Sequence, residues 1–141
     1  MADNAPPRDP PSDVASLVEA IVRLPELANR NASLVRRGRC LTADFQVVIG
    51  TQVCFLSVVE GRIHSVRTDP QIMRSCSFRI AAAPEAWAKF WRRVPEPGWH
   101  DILAMMKRKH LAVDGDLRVF MGSLQYVKDL LALPRQLFGA A

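Results

Sequence analysis

The sequence predicts an α+β fold, with two helices, four strands, two more helices, a fifth strand and a final helix in one domain. Two observations carry that prediction. The apolar period changes from helical spacing to strict alternation near Leu41 and returns to helical spacing after Pro84. A short apolar run, Leu111-Ala112-Val113, then leads through Gly115 and Asp116 into the most apolar helix of the chain. There is no internal repeat and no second composition regime, so nothing suggests two domains.

Residues 1–13 hold four prolines and no apolar periodicity, which predicts a disordered leader rather than an export signal. A helical segment follows over 14–37. Val14, Leu17, Val18, Ile21 and Leu24 recur at helical spacing behind the caps Ser12 and Asp13. A second helix is expected from Pro25 to a stop at Gly38. From residue 38 to the end runs the expected α+β portion of the same domain.

Leu41, Ala43, Phe45, Val47 and Ile49 alternate with Thr42, Asp44 and Gln46, the mark of a half-buried strand. After the Gly50-Thr51 turn, residues 53–59 are apolar on both faces, which suits the middle of a sheet. Glu60-Gly61 predicts a hairpin into 62–68, and past an Asp69-Pro70 loop the alternation of Cys76, Phe78 and Ile80 marks a fourth strand. These four strands read as antiparallel neighbours. Pro84 opens a helix carrying Trp87, Phe90, Trp91 and Val94 on one face until Pro95 and Pro97 end it. Trp99, Ile102, Leu103 and Met106 mark the next helix.

In the final helix Asp116 is the expected cap and Gly115 supplies a positive φ. Leu117, Phe120, Met121, Leu124, Val127 and Leu131 form one apolar stripe, while Val119, Tyr126, Leu130 and Leu133 lie opposite. A helix apolar on two sides is either buried on both or covers something apolar that is not part of the chain.

The chain has 141 residues, 49% of them hydrophobic, with a mean hydropathy of +0.02, which suits one self-sufficient core. No apolar run is long enough to span a bilayer. Cys40, Cys54 and Cys76 are odd in number and lack a C-x-x-C pair, which argues against a disulfide framework or zinc knuckle and for a reducing cytoplasm. The net charge of +5 is concentrated at Arg36-Arg37-Arg39, Arg92-Arg93 and Lys107-Arg108-Lys109, where phosphate groups could be met.

Chemistry is sparse. His64, His100 and His110 lack metal-ligand spacing, and there is no nucleophile elbow or phosphate loop, so no metal, cofactor or catalytic residue is expected. Asp44, Asp101, Asp114 and Asp116 could supply paired carboxylates, although Asp116 reads better as a cap and Asp114 as a turn residue. Large, adaptable apolar side chains dominate instead. Phe55, Phe78, Trp87, Phe90, Trp91, Trp99, Met105, Met106, Phe120 and Met121 sit on elements able to converge on one face of a sheet. A dense core and a binding surface are both consistent with that set.

The helix ending in Met105-Met106-Lys107, the segment Leu111–Asp116, and Met121, Leu124 and Leu131 together resemble the C-terminal half of the sterol-carrier-protein type-two domain family. With the Glu60-Gly61 hairpin and the Trp87 helix in the same order, the similarity covers about residues 38 to 133. Two departures are Lys109-His110, where that family often has glycine-lysine, and longer helices before Gly38. The resemblance implies a five-stranded, mainly antiparallel sheet covered by helices, an apolar tunnel between the two, and no enzymatic activity. It implies a sterol, fatty acyl or isoprenoid ligand against the residues above together with Leu103, Leu117, Leu124, Val127 and Leu131. The basic run Lys107, Arg108 and Lys109 is then expected near the entrance, in transient contact with a membrane. Arg108–Asp116 and Tyr126-Val127-Lys128 equally resemble a bacterial branch of ubiquinone-biosynthesis accessory proteins. Two functions thus stand side by side, a lipid carrier and an interaction subunit for a lipid-related biosynthetic enzyme. Nucleic-acid binding is disfavoured, because no reader motif or interleaved exposed aromatics accompany the basic clusters.

Overall fold

The structure is a computed structural model that describes residues 13–69, 75–92 and 94–138. The expected leader, apart from Asp13, lies outside the described residues, as do Pro70 of the expected loop and Arg93 of one basic pair. The N-terminal helical segment comes in three pieces: α1 (Val14–Val22), α2 (Leu24–Asn29) and α3 (Ala32–Arg37). Asp13 caps α1 by accepting from the Ser16 amide at 3.1 Å. The helix expected from Pro25 to Gly38 breaks at Asn31, whose extended backbone (φ −91°, ψ 96°) lets its side chain cap α3 through the Leu34 amide at 3.1 Å.

Five strands form one mixed sheet among the described residues: β1 (Ala43–Ile49), β2 (Gln52–Val59), β3 (Arg62–Arg67), β4 (Phe78–Ala82) and β5 (Leu111–Gly115). Their order is β3-β2-β1-β4-β5, antiparallel except for β1 and β4. Two expectations are corrected here. β4 does not neighbour β3, because the long connection after β3 carries the chain past β2 and β1 to pair parallel with β1. The central strand is β1, whose Val47, Val48 and Ile49 are all buried, while β2 lies one place off centre. The weak alternation of β3 has a cause as well: the β2–β3 register shifts between Ser57 and Val58, leaving His64 as the extra residue of a bulge.

Phe45, Val47, Ile49, Cys54, Leu56, Val58, Phe78 and Ile80 project from one sheet face into a single apolar cluster with the helices. Trp87, Phe90 and Trp91 at the end of α4 (Pro84–Phe90) enter the same cluster. That helix stops sooner than its i+7 pattern suggested, and Val94 is 81% exposed, because Pro95 and Pro97 remove backbone donors and drive the chain into extended conformations. The next helix, α5 (Ile102–Lys107), begins after Trp99 rather than at it.

The final helix is also divided, into α6 (Leu117–Gly122) and α7 (Leu124–Ala132), followed by a 3-10 helix over Leu133–Gln136. Gly122 and Ser123 are weak helix formers, and the Ser123 hydroxyl donates to the Val119 carbonyl at 2.8 Å where the helix breaks. The break ends the single expected stripe. Leu117 and Met121 are 51% and 54% exposed, whereas Tyr126, Val127, Leu130 and Leu131 are buried on both sides of α7. Room for Tyr126 comes from Gly38, where a Cβ would lie 2.5 Å from the phenol ring. The Tyr126 hydroxyl donates to the Gly61 carbonyl at 2.8 Å and so ties α7 to the β2–β3 hairpin.

Candidate functional site

The space between sheet and helices is built from aromatic side chains, and strand periodicity decides which of them enter it. Phe45 and Phe78 face each other across the parallel β1–β4 pair and stack with centroids 4.8 Å apart, and Phe120 of α6 meets Phe78 edge-on at 5.4 Å. Trp87 and Trp91, one helical turn apart on α4, have centroids 5.2 Å apart. Both indoles are buried, so each needs an acceptor. Trp87 donates to the Val48 carbonyl at 2.9 Å, and Trp91 donates to the Leu131 carbonyl at 2.7 Å.

The cover over this interior is held by few polar ties. Besides the Trp91–Leu131 and Tyr126–Gly61 bonds, Arg135 of the 3-10 helix donates to the Phe90 carbonyl at 2.8 Å and the His100 carbonyl at 3.1 Å, with its guanidinium over the Phe90 ring. Desolvation lowers the pKa of Arg135 from the ordinary guanidinium value. An ion pair between Arg37 and Asp129 joins α3 to α7, and Lys128 reaches Asp101 at 3.0 Å.

Phe78, Trp87, Phe90, Trp91, Met105, Phe120, Val127 and Leu131 share the buried cluster. Trp99, Met106 and Leu124 pack against its margin, and Leu103 is half-buried outside it. Leu117 and Met121 lie on the exposed side of α6. Phe55 does not join them. It pairs with Gln46 and Arg67 and belongs to the sheet face opposite Cys54 and Leu56, because neighbouring strand residues point to opposite faces. Lys107, Arg108 and Lys109 are exposed at the end of α5.

An open cleft of about 390 Å³ runs between α1 and the C-terminal segment, lined by Ala15, Ser16, Glu19, Ala20, Arg23, Leu137 and Phe138. Phe138 also stacks on Trp91, with centroids 6.3 Å apart, so one wall of the cleft belongs to the aromatic interior. None of the fifteen expected ligand contacts lines this cleft. The small residues of α1 and the apolar pair Leu137-Phe138 after Pro134 were the available signal in sequence.

Nucleophilic chemistry has little support. Burial pushes the Cys54 thiol up to about 11 and the Tyr126 phenol up to about 12. Asp116 is engaged as the cap of α6, accepting from Arg118 and Val119 amides at 3.0 and 3.3 Å. Asp114 stands opposite Arg79 across β4–β5. Among the described residues no three His, Cys, Asp or Glu side chains gather as a metal site, and no helix is long and apolar enough to cross a membrane.

No family model matches the sequence, and no curated protein matches it. Solved structures do. The chain is similar to the conserved hypothetical protein TT1886 from Thermus thermophilus, with a TM-score of 0.69 and 12% identity over 97% of each chain. Sterol carrier protein 2 matches with a TM-score of 0.64 and 13% identity over 86% of this chain and 95% of that one. UbiJ-SCP2, a ubiquinone synthesis protein, matches with a TM-score of 0.57 and 19% identity over 86% and 99%. The protein therefore has the α+β fold of sterol carrier protein 2.

Proposed function

We propose that this protein binds and carries an apolar lipid, a sterol, fatty acyl or isoprenoid chain, between its sheet and its helical cover, without catalysing a reaction. The observation that carries the reading is the cleft between α1 and Leu137-Phe138, whose Phe138 wall stacks on Trp91 of the aromatic interior. Its volume of about 390 Å³ lies within the ordinary range for small-molecule sites. Above the interior lies a cover of three short pieces, α6, α7 and the 3-10 helix, broken at Ser123 and tied to the Phe90 carbonyl by Arg135. The sterol carrier fold supports the same reading.

Native mass spectrometry of the purified protein with solvent extraction of lipid tests it. Co-purifying lipid at one per chain is expected, and a lipid-free protein that takes up neither a fluorescent fatty acid nor a fluorescent sterol rejects it. Location is tested by Ala15→Trp, at an exposed position on the wall of that cleft. Apo stability should stay within about 1 kcal/mol while probe affinity falls at least tenfold, about 1.4 kcal/mol. Unchanged binding would place the ligand away from this cleft.

A second reading, an accessory subunit for a lipid-related biosynthetic enzyme, is favoured by the uncovered Leu117 and Met121 on α6 and by the likeness to UbiJ-SCP2. The measurement separating the two is whether Leu117→Glu/Met121→Glu spares lipid uptake while abolishing association with such an enzyme.

A further inference from the structure

The loop from Val94 to Trp99 absorbs none of the chemistry above, yet it is a built surface. Pro97 and Gly98 (φ +92°) occupy the centre of a tight turn closed by the Trp99 amide donating to the Glu96 carbonyl at 2.9 Å. Arg92 holds the Glu96 carboxylate at 2.8 Å, which neutralises the acid of the loop. Gly98 lies against Arg108, close enough that a Cβ would sit 2.8 Å from the guanidinium. The Trp99 ring has the His110 imidazole stacked on it at 4.1 Å and the Lys89 ammonium 4.6 Å from its centroid. Three separate segments are thus gathered at one place: the end of α4, this loop, and the turn from α5 into β5.

Its charge is one-sided. Lys89, Lys107, Arg108 and Lys109 are all exposed, and none has a carboxylate within ion-pair distance among the described residues. Lys109 has a positive φ of 64°, where glycine would be the less strained residue. The loop also carries an apolar projection at its start, where Val94 is the most exposed large hydrophobic residue described, at 81%. A polyanion would complement the cations but offer Val94 nothing, and the Trp99 ring is taken up by His110 and Lys89 instead of being left for a base to stack on. A surface that is anionic outside and apolar just beneath complements both.

We propose that this surface docks the protein on an anionic bilayer, with Lys89, Lys107, Arg108 and Lys109 meeting lipid phosphates and Val94 entering the headgroup layer. The inference goes beyond lipid carriage and does not depend on it. Co-sedimentation of the full chain with phosphatidylcholine vesicles, with and without phosphatidylglycerol, tests it. Binding is expected only to the anionic vesicles and should weaken with salt. Each cation near such a surface is worth about fivefold in affinity, so Lys107→Gln/Lys109→Gly should weaken binding at least tenfold. The glycine should leave Tm equal or higher, which separates lost charge from lost folding. Val94→Asp should weaken binding several-fold with Tm unchanged, because the side chain it replaces is in solvent. Equal binding to neutral and anionic vesicles, wild-type binding by either variant, or tighter binding to a single-stranded polynucleotide than to vesicles would overturn the proposal. Uptake of a fluorescent fatty acid without vesicles should be unchanged in both variants. Wild-type protein that docks yet takes up no probe would sink the carrier reading alone.

Discussion

Gly115 and Gly122 lie seven positions apart around α6, and the same substitution to alanine should move stability in opposite directions. At Gly115 the backbone has φ +106°, and a Cβ would lie 2.7 Å from the Ser77 carbonyl oxygen and 2.9 Å from the Phe78 Cα. That oxygen also accepts from the Asp116 amide at 2.7 Å, the bond that leads β5 into the cap of α6. Alanine there incurs backbone strain of about 2 kcal/mol and weakens a hydrogen bond worth about 1 kcal/mol. The total is roughly 3 kcal/mol, or about 12 °C in Tm at ~4 °C per kcal/mol for a chain of this length. At Gly122, the last residue of α6, a Cβ would meet nothing within 4 Å and φ is not positive. Alanine there should stabilise by ~0.5–1 kcal/mol, a rise of a few degrees. Thermal and urea unfolding of the two variants measure both shifts. A Gly115→Ala protein with wild-type Tm, or a Gly122→Ala protein that falls with it, would refute the argument from strain and contact.

Alkaline stability should follow two buried acids. The Cys54 thiol rises from an ordinary 9.0 to about 11 and the Tyr126 phenol from 10.0 to about 12 on folding, so both hold their protons more tightly in the folded chain. Their stabilisation is complete below pH ~9 and is lost as pH rises from ~9 to ~12; urea midpoints across that window should fall, with a shallower fall in Tyr126→Phe. Asn29 closes part of the β3 edge, its side chain donating to the Ile63 carbonyl at 3.1 Å and accepting from the Ile63 amide at 3.0 Å. Asn29→Ala should cost about 1–2 kcal/mol in urea unfolding, and light scattering should show concentration-dependent association through the opened edge.

Local physics makes much of this chain legible in its sequence. The cap at Asp116, the positive φ at Gly115, the Glu60-Gly61 hairpin and each of the five strands depend on residues within a few positions of one another, and periodicity reports such dependence directly. The aromatic interior was half legible. Helical spacing brings Trp87, Phe90 and Trp91 together, but a run apolar on both faces does not reveal which residue faces the helices, and Phe55 lies on the other face.

Longer-range competition decided the remainder. The parallel placement of β4 beside β1 depends on a connection that passes two strands, and no alternation within β4 records its neighbour. The break at Ser123 arises where a weak pair of helix formers meets packing on two sides of α7, and it turns Leu117 and Met121 outward although their spacing matches the buried Leu131. The cleft between α1 and Leu137-Phe138 joins the two ends of the described chain. Residues more than a hundred positions apart meet there only because the sheet and α7 set where both ends must lie. A pattern read over a few turns holds no information about such a meeting.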